Sequence, residues 1–151
     1  MKPWILLAGL LVSSGTVSAQ LEEKSRRDWT TVGELKYIAT TRARLQYSAV
    51  GKDTSYILLF KDARKEFKDH YFTIGFSGAD DTRLRLYALL TSFFSAEHKN
   101  EKSYEKTFRL GEAMVHVQHY RKIATPGIML TTEDGFIILT ENEINRLFGR
   151  R

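Results

Sequence analysis

Between Leu35 and Ala49 the chain alternates. Leu35, Tyr37, Ala39, Thr41, Ala43, Leu45, Tyr47 and Ala49 share one parity, and Lys36, Thr40, Arg42, Arg44, Gln46 and Ser48 share the other. A period of two over that length predicts a long half-buried strand, with Ile38 as its one misfit. The stretch "VGKDTS" turns the chain, and "YILLF" returns with large residues on both faces, the pattern of a more central strand. The charged connection "KDARKEFKD" leads to a third strand in "HYFTIGF", whose apolar side is Phe72, Ile74 and Phe76.

At "SGADD" the period changes. Leu86, Leu89, Leu90, Phe93 and Phe94 recur at helical spacing through "TRLRLYALLTSFFSAEHK", predicting a helix with its apolar stripe on a sheet. Asp80 or Asp81 is placed to cap its first turn. "EKTFRLG" and "EAMVHVQHYRK" read as strands, or as one strand bent at Gly111, and "TPG" turns the chain. "IMLTTEDGFIIL" reads as a hairpin with Gly135 supplying a positive φ. Thr140 to Glu143 form a capping box, Leu139 can staple onto Ile144, and Gly149 ends the last helix. The expected fold is therefore α+β: a largely antiparallel sheet of about six strands in βββα-βββα order, with two helices packed on it, spanning residues 29–149 as one domain. The repeated order is compatible with a duplicated unit, although residue identity between the halves does not establish one.

The first 19 residues stand apart. Lys2 precedes an apolar run from Pro3 to Val12, and Val17-Ser18-Ala19 offers small or short residues at the −3 and −1 positions of a signal-peptidase site. The run is shorter than the roughly 20 apolar residues of a spanning helix. The pattern predicts export with cleavage after Ala19, a leader over 20–28 and a basic tail at 150–151. In that leader Glu22/Arg26 and Glu23/Arg27 are spaced for helical pairs. Loss of Lys2 lowers the net charge from +5 to +4. The chain has no cysteine. An exported protein without disulfides depends on core packing, which suits a bacterial periplasm. The basic residues are scattered among acids, the pattern of a solvated mixed surface, and export argues against nucleic acid as a partner.

Candidate chemistry is sparse. His116 and His119 lie three apart in "MVHVQHY", but on a strand that spacing puts them on opposite faces, so they cannot chelate one ion together. No metal or cofactor is expected. "GFSGAD" places Ser77 on a strand-to-helix turn, as a nucleophile elbow does, but its second glycine comes one residue early. Asp80/Asp81 and Glu141/Glu143 sit in first helical turns, where acids serve stability. The expectation is an exported envelope protein, periplasmic or secreted, acting as a non-catalytic binding or adaptor module. Its contact surface is either the strand face of Arg42, Arg44 and Gln46 or that of His116, Gln118 and Tyr120. The partner is an envelope protein or an anionic polymer. Alternatives are a small periplasmic hydrolase using Ser77 with a histidine, and attachment to anionic envelope polymer.

Overall fold

A computed structural model of the protein describes residues 27–64, 69–121 and 124–150. The signal segment, most of the leader with Glu22, Glu23 and Arg26 of its expected pairs, and Arg151 lie outside the described residues. Among the described residues eight strands form two antiparallel sheets of four. The first is the meander β1 (Thr30–Tyr37), β2 (Thr40–Val50), β3 (Asp53–Lys61) and β4 (Tyr71–Ser77). A single 3-10 turn leads into α1 (Thr82–Ser92). The second meander is β5 (Glu105–Leu110), β6 (Ala113–Tyr120), β7 (Gly127–Thr131) and β8 (Phe136–Thr140), followed by α2 (Glu141–Leu147). The α+β class holds, but the single sheet of about six strands is corrected to two sheets of four in ββββα-ββββα order.

Both extra strands come from tight turns. The stretch expected as one strand from Leu35 is the β1–β2 hairpin, closed by Ile38 and Ala39 between the paired Tyr37 and Thr40. Ile38, the misfit of the alternation, is the turn residue: its φ is 56° and its side chain is 88 % exposed. A two-residue turn by itself shifts the inward parity by one, but the bulge between Leu35 and Lys36 sets Leu35 opposite Ala43 and restores it, so the alternation runs through unbroken. A two-residue turn also separates β5 from β6. Leu110 pairs with Ala113, and Gly111 takes a φ of 59° that a glycine adopts without steric cost.

Three smaller expectations are also corrected. Asp80 and Asp81 both have left-handed backbone (φ 54°), and neither side chain caps α1. The helix ends at Ser92, with turns replacing it through Asn100. Gly135 is not among the positive-φ glycines; it is needed for space, because a Cβ there would sit 2.7 Å from Asp62 Oδ2 and 3.0 Å from Phe72. The last helix matches its signals. Thr140 accepts from the Glu143 N–H, Glu143 accepts from the Thr140 N–H at 2.9 Å, and Leu139 and Ile144 are both buried.

Apolar residues from both meanders and both helices form one core, including Leu45, Leu58, Phe60 and Ile74 with Phe93, Val115, Val117, Ile137 and Ile144. The two halves also meet through polar groups. Ala63 N–H donates to Phe136 O at 2.9 Å, joining the end of β3 to the start of β8. Beside it lies Asp62, whose side chain is 0 % exposed. Its carboxylate accepts from Arg64 N–H at 3.1 Å and Arg64 Nε at 2.7 Å, pairs with Arg64 Nη2, and faces His70 Nδ1 at 3.1 Å. Arg64 also donates to Asp134 O at 2.7 Å, tying this loop to the β7–β8 turn. Burial pushes the Asp62 carboxyl up, but the hydrogen bonds from Arg64, from the Phe136 backbone and from His70 outweigh it and hold it at about 2.

Candidate functional site

The two strand faces singled out by sequence have different surroundings. On β2, Arg42 pairs with Glu143 of α2 and donates to Ile138 O of β8. Arg44 stands opposite Glu34 in the β1–β2 register and donates Nε–H to it at 2.9 Å. Thr41 also donates to Glu34 at 2.9 Å, and Lys36 Nζ lies 3.1 Å from it. The Arg44 hydrogen bond chiefly, with Lys36 and Thr41 adding and burial opposing, holds the Glu34 carboxyl at about 2. Gln46 Nε2 donates to Thr31 Oγ1 at 3.5 Å across the same strand pair. These three side chains connect β2 to its neighbours.

On β6, Val115 and Val117 are fully buried, while His116, Gln118 and Tyr120 lie on the other face and are partly exposed. That parity separates His116 from His119, as the sequence predicts. His116 Nδ1 lies 2.8 Å from Thr107 Oγ1 on the paired residue of β5, and its Nε2 is 3.7 Å from Glu105. The side chains of Gln118 and Tyr120 have no hydrogen-bond partner among the described residues.

His119 faces inward. Its Nε2–H donates to His98 O at 3.0 Å, and its ring meets Phe93 edge-on at 5.3 Å between centroids. The His98 ring stacks on Tyr104 at 3.9 Å, and His98 Nδ1 lies 3.0 Å from Glu101. Tyr104 OH is 3.0 Å from Ser92 Oγ. These contacts pack the segment between α1 and β5 against the end of β6. Arg121 Nη2 completes the attachment by donating to Lys99 O at 2.9 Å.

The result is a concave region that no single stretch of sequence announces. A pocket of about 280 Å³ is lined by Lys99, Asn100, His119, Tyr120, Arg121 and Pro126, among others. A second, of about 470 Å³, shares His119, Tyr120 and Arg121 and adds Lys102, Gln118 and Met129. Among the described residues the lining of both contains cations, amides and a phenol, and no carboxylate. The β6 face predicted from sequence thus continues into a cleft whose remaining residues come from the α1–β5 segment and the β6–β7 connection.

Ser77 occupies a different setting. Its hydroxyl accepts from Ala79 N–H at 3.2 Å, the bond of a turn residue. The imidazole bonds described above go to Asp62, Glu101, Thr107 and His98 O. His70 precedes the first residue of β4 and Ser77 is its last, so the strand's length of about 20 Å separates them. Among the described residues no cluster of three or more His, Asp or Glu is spaced to hold a metal ion, and no helix is long and apolar enough to cross a membrane. Comparison of the chain with protein-family models, curated proteins and solved structures returned no match.

Proposed function

We propose that the protein is an exported, non-catalytic binding module of the bacterial envelope, and that the end of β6 is its binding face. The observation that carries this reading is the convergence of polar side chains without a partner among the described residues, Gln118 and Tyr120 from β6 with Lys99 and Lys102 from the preceding segment, on two adjoining concavities. Ligand sites are typically concave, with a few convergent polar groups on a rigid support. Here the support is a strand hydrogen-bonded on both sides, to β5 and β7. The β2 row of Arg42, Arg44 and Gln46, engaged by Glu143, Glu34 and Thr31, serves to hold the fold. The N-terminal signal pattern supports the envelope as the place of action.

Hydrogen exchange of the purified protein, with and without isolated envelope material, tests this. Protection concentrated in residues 98–104 and 118–121 is the expected result. Protection elsewhere, or none, overturns the assignment of the face.

A further inference from the structure

We infer that this cleft takes an acidic polysaccharide, a chain of sugar rings carrying carboxylates. The inference rests on the reading of the β6 end as the binding face and names its ligand class.

Charge is the first ground. Lys99 lines one pocket, Lys102 the other and Arg121 both, and among the described residues no Asp or Glu lines either. Of the basic residues elsewhere, Arg42, Arg44 and Arg64 have carboxylate partners, while Arg85 and Arg109 line a separate pocket whose described lining carries no amide or phenol. Lys99 and Lys102 have no carboxylate partner among the described residues. Arg121 spends one N–H on Lys99 O, which fixes the guanidinium and leaves further donors of its fork for a ligand. The nearby acids are Glu101, held by His98, and Glu105, which stands opposite Gln118 in the β5–β6 register.

The second ground is the kind of neutral group present. Asn100 and Gln118 carry amides that both donate and accept, matching sugar hydroxyls, which do the same. Tyr120 adds a phenol with an apolar ring, a surface for the C–H face of a sugar, and Pro126 and Met129 extend the apolar floor. A small inorganic anion would leave the amides and the ring unused. The two pockets lie side by side and share three residues, which gives an extended path rather than one socket.

The test is titration of the purified chain with oligogalacturonate, with neutral galacto-oligosaccharide of equal length, and with polyphosphate, followed by amide chemical shifts. Oligogalacturonate is expected to shift residues 99–102 and 118–121 and to bind at least about tenfold more tightly than the neutral sugar. Replacing both Lys99 and Lys102 by Gln weakens it by about tenfold, because each exposed pair contributes at most about a factor of five. Both side chains are exposed, so the thermal midpoint of that variant stays at the wild-type value. Glu105→Gln tightens binding. Equal affinity for the neutral sugar, preference for polyphosphate, or no binding overturns the inference. If envelope material protects the β6 end while oligogalacturonate does not bind, the ligand class fails and the binding face stands. If envelope protection also falls elsewhere, both fail.

Discussion

Asp62→Asn tests the junction between the two halves. The Asp62 carboxylate is fully enclosed and is held by Arg64 and His70, with Gly135 leaving room for it. Its carboxyl lies at about 2 in the folded protein against 3.8 in the unfolded chain. A depressed value means that the ionised form is bound preferentially by the fold. The stabilisation is therefore complete above pH 3.8 and disappears as pH falls through about 2. The size follows from the shift: nearly two pH units correspond to about 2 kcal/mol. The amide variant removes the charge at all pH values and leaves Arg64 with a weaker acceptor, so at neutral pH it should unfold about 2 kcal/mol more easily. For a chain of this size that is a drop of roughly 6–8 °C in thermal midpoint. The assay is urea unfolding of both proteins from pH 7 down to pH 2. The difference between them is expected to stay constant to about pH 4 and then shrink toward zero. Glu34, which titrates in the same range, is present in both proteins and cancels from the difference. A difference that does not change between pH 5 and pH 2, or one below about 0.5 kcal/mol at neutral pH, would refute the assignment of Asp62 as an ionised link.

Ile38→Gly should raise stability by about 1 kcal/mol in urea unfolding, since it removes an exposed β-branched side chain from left-handed backbone. Gly33→Ala should cost about 3 kcal/mol or prevent folding, because a Cβ there would overlap the carbonyl oxygens of Arg146 and Leu147. Loss of well under 1 kcal/mol would show that α2 does not seat on β1 as described. Intact mass of the protein released from an exporting bacterial host should give Gln20 as its first residue. A retained Met1 would remove the export reading.

Alternation located most of the strands, and the Thr140–Glu143 capping box located α2, because both signals are local. The break at Ile38-Ala39 was missed and the one at Gly111-Glu112 left open because each turn is only two residues long, too short to interrupt a strand-like run. At the first, the bulge between Leu35 and Lys36 also restores the inward parity on the far side. At Ile38 the chain also lacks the Gly, Asn or Asp that would mark a residue with positive φ. The candidate face was half legible. His116, Gln118 and Tyr120 could be placed together from strand parity alone. Lys99, Asn100 and Lys102 could not, because they reach β6 only through the packing of His98, Tyr104 and Phe93 around His119. Asp62 was hidden for a similar reason. Within "KDARKEFKD" it looks like one charge of a solvated link, and its burial depends on the β7–β8 turn some 70 residues later.

The seating of α2 on β1 has a consequence for the order in which the fold can close. Strands within each meander pair only with sequence neighbours, so each half can assemble from local contacts as soon as its residues are available. The first strand is different, because its packing is completed only by the last helix, through Gly33 beneath Arg146 and Leu147 and through Val32 beside Gly149. A nascent or translocating chain that has not yet delivered residues 141–149 therefore holds an open core, with Leu35 and its neighbours uncovered. Completion of the structure is coupled to the emergence of its final helix, and a chain interrupted before Glu141 should be open to proteases along β1, the strand that α2 covers.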